Sequence, residues 1–94
     1  MRGPFDGHHL DTPRTEVLIY DLNVGGGFVN FGAEQPAAAT LRLKIDLLSE
    51  GPITVNAETV YRDANGVAVR FVDLDRDAAA RLTRTIDALT EQSF

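Results

Sequence analysis

TLRLKIDL, residues 40–47, decides the fold class of this chain. Leucine and isoleucine occupy every second position of the stretch, and Arg42, Lys44 and Asp46 lie between them. A period of two without error is typical of a β-strand that turns one face to the core and the other to water. The stretch therefore predicts a strand with one wet face.

The same period continues towards the C-terminus. After the turn sequence SEGP (49–52), the stretch 53–62 alternates again and predicts one shared face for Ile53, Val55, Ala57, Thr59 and Tyr61. An Asn-Gly pair at 65–66 is a strong hairpin signal. GVAVRFVD, residues 66–73, is predicted to be the returning strand.

The period then changes from two to about 3.6, which indicates a C-terminal amphipathic helix. Either Asp73 or Asp75 can cap its start, because a short carboxylate accepts hydrogen bonds from the free N–H groups of the first turn. The predicted apolar stripe consists of Ala79, Leu82, Ile86 and Leu89, and the residues expected to remain solvated are Arg76, Arg81 and Arg84.

The N-terminal part is less regular. Residues 1–13, MRGPFDGHHLDTP, contain two prolines, two glycines and no apolar period, which predicts a flexible arm. The run 17–20, VLIY, suits a buried strand. Three glycines follow at 25–27, residues 28–31 resume a strand, and residues 32–39 predict a loop.

Short turns join the predicted strands, so neighbouring strands must be antiparallel, since a parallel crossover needs a dozen or more residues. An antiparallel sheet of this size hides its edges by closing into a small barrel or by folding into a sandwich. We predict a mainly-β fold, a small antiparallel β-barrel over residues 14–94, with one C-terminal α-helix covering an open end.

Composition limits the possible functions. The 94 residues suffice for one domain, and the absence of cysteine rules out disulfides and thiolate metal sites. We expect a soluble cytoplasmic protein without membrane insertion. The formal charge of −5 argues against nucleic acid, whose recognition requires a basic surface. A small anion needs only a local arginine cluster and stays possible.

The glycine cluster has two interpretations. Gly25–Gly27 can form nothing more than a tight hairpin or a β-bulge, the usual role of glycines at strand ends. Alternatively, DLNVGG (21–26) is a turn at the barrel rim that presents Asp21 and Asn23 beside bare backbone. Glycine lets a flat ligand approach the main chain, and carboxylate and amide groups can bond the polar edge of a purine.

DLNVGG resembles the [D/N]-x-S-x-x-G motif of PilZ domains, and GVAVRFVDLD (66–75) resembles the family's GVRFVDL strand leading into its last helix. The likeness extends from about residue 16 to residue 89, and the order and spacing of the motifs make it specific. The resemblance implies a β-barrel of about six strands. It also implies a bacterial receptor domain for the second messenger cyclic di-GMP.

In PilZ domains this motif contacts a guanine from the barrel surface, while an R-x-x-x-R motif on an N-terminal arm clamps phosphates and guanines. Carried over, Asp21 matches the acidic position and Gly26, with Gly25 before it, matches the final glycine. Asn23 stands where serine is usual; an amide can still bond a base edge, although it is bulkier.

The arginine motif departs further from the family pattern. Arg2 is followed four residues later by Asp6, and Arg14 has a leucine four residues before it. The resemblance implies Arg2 and Arg14 as the remaining phosphate contacts, and Arg70 is a further candidate if it projects toward Asp21. Losing two charged hydrogen bonds costs roughly 3–6 kcal/mol. That loss would weaken a receptor working near ~1 μM to about 0.1–10 mM.

Two functions therefore stay open. The first is a regulatory domain that binds cyclic di-GMP. The second is a degenerate PilZ-like adaptor that binds no nucleotide and acts through a protein partner in motility, pilus or biofilm regulation. We expect no enzyme and no cofactor, because cysteine is absent, both histidines lie in the arm, and the only serines, Ser49 and Ser93, lie in a turn and next to the terminus. Asp6, His8, His9 and Asp11 could form a metal cluster, but ordering ligands on a flexible arm costs entropy, so we expect them to be solvated and expect no metal.

Overall fold

The computed structural model describes residues 4–11, 15–32, 35–36 and 38–91. Their strands close into a six-stranded barrel in the order β1-β2-β3-β6-β5-β4, with every neighbouring pair antiparallel. This confirms the predicted fold, an antiparallel β-barrel with one C-terminal helix. The elements are β1 Phe5–His9, β2 Thr15–Asn23, β3 Gly26–Asn30, β4 Thr40–Asp46, a 3-10 turn Leu48–Glu50, β5 Pro52–Asp63, β6 Gly66–Val72 and α1 Arg76–Glu91.

The alternating stretch TLRLKID, residues 40–46, forms β4. Its apolar residues Leu41, Leu43 and Ile45 are fully buried, whereas Arg42 and Asp46 are exposed. Burying a side chain of this size stabilises the fold by about 1.5–3 kcal/mol, so the pattern fixes which face of the strand turns inward. The other large, fully buried side chains of the barrel come from neighbouring elements: Ile19, Leu22, Val29, Leu47, Val67 and Leu82.

The flexible arm predicted over residues 1–13 is wrong for residues 5–9, which form β1. Phe5 and His9 are buried, Phe5 pairs with Ile19 of β2, and Gly7 pairs with Ile45 of β4. Because β1 hydrogen-bonds to both neighbours, it closes the barrel and leaves no open edge. The alternation Phe-x-Gly-x-His supplies only one large apolar side chain, which conceals the strand in the sequence. Residues 1–3 and 12–14 lie outside the described residues.

Two apolar residues face the opposite side of the sheet from the one predicted. Leu18, inside the run predicted to be buried, is 37% exposed because β2 alternates strictly about it. Tyr61 is 56% exposed because the register of β5 against β6 shifts between Thr59 and Tyr61. The extra residue, Val60, forms a β-bulge, and a bulge reverses the side to which the following residues point.

Helix α1 begins after Asp75, whose carboxylate accepts a hydrogen bond from the N–H of Ala78 at 2.7 Å, so Asp75 rather than Asp73 is the cap. Its apolar face packs on the core through Ala78 and Leu82, with Ile86 and Leu89 partly buried beside them. The helix lies against the 3-10 turn, β2 and β5, where β4 leaves the barrel. It covers that end, as predicted.

Of the three arginines expected to be solvated on α1, Arg76 and Arg84 are exposed as expected, whereas Arg81 is partly buried. Arg81 and Arg84 also hold the helix to the 3-10 turn. The guanidinium of Arg81 donates to the carbonyl oxygen of Glu50 at 2.6 and 3.1 Å. Arg84 donates to the carboxylate of Glu50, and this hydrogen bond, with the charge of the carboxylate, raises the pKa of Arg84. A contact across more than 30 residues of chain has no local signal in the sequence.

Candidate functional site

The turn between β2 and β3 has two central residues, Val24 and Gly25. Its shape depends on Asn23, whose side-chain oxygen accepts from the N–H of Gly25 at 2.8 Å. The side-chain nitrogen of Asn23 donates to the carbonyl oxygen of Asp21 at 3.0 Å. Asn23 therefore closes an Asx turn, and one lone pair and one N–H of its amide remain for other partners.

A β-bulge precedes this turn. Tyr20 pairs with Phe28 and Asn23 with Gly26, so two residues of β2 lie opposite Gly27 alone. The first of the two, Asp21, has φ of +53°, a left-handed conformation that aspartate tolerates better than most residues. The bulge directs Asp21 to the surface while Leu22 is fully buried. The segment therefore combines features of both interpretations of the glycines: it is a tight hairpin with a bulge, and it also presents Asp21 to the surface.

Gly26 is required by the close approach of β6. It lies opposite Arg70 in the β3–β6 register, and the carbonyl oxygen of Gly25 accepts from the N–H of Phe71 at 2.8 Å. A side-chain carbon on Gly26 would collide with the carbonyl oxygen of Val69. Only glycine lets the hairpin pack this closely against the neighbouring strand.

A surface depression of about 530 Å³ lies beside the turn; we call it the hairpin depression. Five of the seven predicted site residues line it, namely Asp21, Asn23, Gly25, Gly26 and Arg70. The other two, Arg2 and Arg14, lie outside the described residues. The remaining lining residues are Gly27, Phe28, Tyr61, Ala68 and Val69.

The aromatic residues of this lining were missed in the sequence analysis. Tyr20, Phe28, Ala68 and Tyr61 form one row across four neighbouring strands, and the rings of Phe28 and Tyr61 are 6.5 Å apart at an angle of 47°. Tyr61 reaches this row only through the bulge at Val60. The row gives the depression an apolar wall that can stack against a flat ring.

The electrostatics of the depression depend on two charged lining residues, Asp21 and Arg70. Arg70 donates from Nη2 to Oε2 of Glu58 at 2.6 Å, across the β5–β6 ladder. The side chains of Arg70 and Glu58 are 64% and 47% exposed, so water and salt screen the pair. The guanidinium has further N–H donors besides the one that Glu58 occupies.

A depression of about 590 Å³ on another part of the wall lies along β1, β2 and the end of β3. It holds His8 beside Glu16, at 3.9 Å, and also Asp6. None of the predicted site residues lines it. We take the hairpin depression as the candidate site although it is smaller, because the predicted ligand-binding side chains line it and not the other depression. Within the described ranges, no three histidine or carboxylate side chains are grouped as metal ligands. None of the described helices has the length and hydropathy of a membrane span.

Comparisons with known proteins agree with this architecture. A family model described as PilZ domain matches residues 3–88. Among solved structures, the PilZ domain with c-di-GMP of YcgR from Escherichia coli superposes with a TM-score of 0.75 at 18% identity, covering 96% of this chain and 84% of that one. YcgR from Escherichia coli in complex with c-di-GMP gives 0.72 at 17%, and the chain spans 42% of its length. At these identities the structural likeness establishes the fold. No curated protein sequence matches the chain.

Proposed function

We propose that this chain, which belongs to the PilZ domain family, is a cytoplasmic regulatory domain that binds cyclic di-GMP in the hairpin depression. One observation carries the proposal: the depression is lined by every described residue that the sequence singled out for ligand contact, Asp21, Asn23, Gly25, Gly26 and Arg70. The similarity to solved c-di-GMP complexes supports it. On this proposal the domain senses a ligand and catalyses no reaction.

The polar edge of a guanine is the part that the turn suits best. The exposed carboxylate of Asp21 offers acceptors to the two adjacent N–H groups on the Watson–Crick edge of guanine. Asn23 offers its remaining donor and acceptor. Gly25 has no side chain, so the ring can lie against the main chain. A hydrogen bond to a charged group is worth about 1.5–3 kcal/mol, which makes Asp21 the main determinant of the base.

The flat face of the base then lies against the aromatic wall. Tyr61 is 56% exposed on this wall and Phe28 is half-buried beside it. Stacking of one base on an aromatic side chain contributes about 1–3 kcal/mol. Arg70 would meet a phosphate of the ligand, because its fork of N–H donors matches phosphate oxygens.

The barrel topology distinguishes the two arginines outside the described residues. β1 begins at Phe5, opposite Ile19, and from there β2 runs on to the hairpin at Asn23. β2 itself begins at Thr15, opposite His9, at the other rim. β1 thus begins at the same end of the barrel as the hairpin depression. We therefore assign the phosphate contact to Arg2 rather than to Arg14.

A second function is favoured by a separate observation. The bulge of β5 exposes two neighbouring apolar side chains, with Val60 63% and Tyr61 56% exposed. Arg70 is already neutralised by Glu58. An adaptor that binds no nucleotide would use this apolar strip for a protein partner. Val60→Asp should then abolish capture of that partner and leave the melting temperature of the domain unchanged.

Isothermal titration calorimetry tests the main proposal. Cyclic di-GMP added to the purified chain should give a saturable heat, and GMP, with one guanine and a terminal phosphate, should bind more weakly. Arg2→Ala should reduce the affinity about tenfold or more, and the matched control Arg14→Ala should leave it unchanged. No heat at ligand concentrations of about 1 mM would reject the nucleotide proposal in favour of the adaptor.

A further inference from the structure

We infer that Glu58 competes with the phosphate of the ligand for Arg70 and thereby lowers the affinity of the site for the ligand. The inference rests on the proposed function and concerns how strongly the same site binds. Its basis is the contact of 2.6 Å between Nη2 of Arg70 and Oε2 of Glu58. Arg70 is the only cationic side chain that lines the hairpin depression within the described ranges.

The register makes this pair a fixed neighbour rather than a chance encounter. Glu58 and Arg70 lie directly opposite each other on β5 and β6, and Gly26 lies opposite Arg70 on the other side. A cross-strand pair keeps its two side chains on one face at a short separation. The ladder therefore holds the carboxylate beside the guanidinium, on the face that borders the turn.

The local charge explains why the pair weakens anion binding. Asp21 and Glu58 contribute two negative charges around the single positive charge of Arg70, so the site is negative before the ligand arrives. A phosphodiester carries a negative charge, so both carboxylates repel it. The phosphate must share Arg70 with the carboxylate of Glu58 or displace that carboxylate. Converting Glu58 to a neutral side chain removes the competitor and one repelling charge without altering the lining of the depression.

The gain in ligand affinity expected from neutralising Glu58 is moderate, because the side chains of Arg70 and Glu58 are each about half exposed or more. Exposed ion pairs are worth about 0.2–1 kcal/mol, so Glu58→Gln should tighten cyclic di-GMP binding up to about fivefold. The gain should shrink as salt is added, since the Debye length falls from about 10 Å at 0.1 M to about 3 Å at 1 M.

The experiment compares Glu58→Gln with Glu16→Gln by calorimetry at low and high salt. Glu16 is a strand carboxylate outside the hairpin depression, and its substitution changes the net charge by the same one unit. A larger affinity gain in Glu58→Gln than in Glu16→Gln, lost at high salt and lost in an Arg70→Gln background, supports the inference.

Two results would overturn it, and they differ from failure of the proposed function. Equal gains in the two variants would show an effect of net charge alone. Weaker binding in Glu58→Gln would show that Glu58 orients Arg70 for the ligand instead of competing with it. If neither the unmodified chain nor any variant binds, the nucleotide proposal and this inference fall together. The melting temperature of each variant confirms that only folded protein is compared.

Discussion

Gly26→Ala is the substitution that tests the structure of the hairpin most severely. The new methyl group would collide with the carbonyl oxygen of Val69 and lie 3.1 Å from the Cα of Arg70, both of which are backbone atoms that cannot rotate away. Overpacking costs about 1–3 kcal/mol, and the φ of +158° at this position adds about 1–3 kcal/mol for a residue with a side chain. The total is about 2–6 kcal/mol. At ~4–8 °C per kcal/mol, the melting temperature should fall by at least about 8 °C.

Gly25→Ala is the matched control, one residue earlier in the same turn. A methyl group there would meet only the side-chain oxygen of Asn23, at 3.2 Å, which can shift. The substitution loses some of an Asx-turn bond and gains about 0.4–1 kcal/mol from a less flexible unfolded chain. Its free energy of unfolding should stay within about 1 kcal/mol of the original. Thermal and urea unfolding followed by circular dichroism measures both variants. Equal stability losses, or a Gly26→Ala variant as stable as the original, would refute the close packing of β3 on β6.

The remaining predictions concern the ligand and the helix. Asp21→Asn should lower cyclic di-GMP affinity about 10- to 100-fold in calorimetry and keep the fold, because asparagine tolerates the left-handed φ but carries no charge; unchanged affinity would contradict the guanine assignment. Tyr61→Ala should weaken binding about 5- to 100-fold while Tyr61→Phe keeps it, and equal losses in both would point to the hydroxyl group instead of stacking. Asp75→Ala removes the helix cap and should cost about 1 kcal/mol, measured as a drop of about 4–8 °C in melting temperature; no change would mean that the bond to Ala78 contributes nothing.

Much of the fold could be read from local patterns. The alternation in β4 repeats over several residue pairs, and the apolar stripe of α1 repeats over several helical turns. In both elements, packing on the core stabilises the secondary structure that the local sequence already favours. β1 could not be read in this way, because glycine and histidine at its inward positions carry no apolar signal. The bulge at Val60 could not be predicted either, since it arises from the pairing of β5 with β6 and no residue type near Val60 signals it.

The same division applies to the candidate site. Asp21, Asn23 and the glycines belong to one turn, whose local hydrogen bonds follow from residue type, and the sequence identified them together. Tyr61 and Glu58 come from β5, more than 30 residues later, and only barrel closure brings them to the turn. The contributions of Tyr61 and Glu58 to ligand affinity thus depend on tertiary structure, and local sequence patterns do not predict them.

The most direct test of the central claim is a nuclear magnetic resonance titration of the ¹⁵N-labelled chain with cyclic di-GMP. Amide signals of residues 21–28 and 68–70, and that of Tyr61, should shift in a saturable way, because they surround the hairpin depression. Signals of residues 6–8 and 16–18, which line the other depression, should stay in place. No shifts at about 1 mM ligand, or shifts confined to the second set, would contradict the claim that the β2–β3 hairpin is the ligand site.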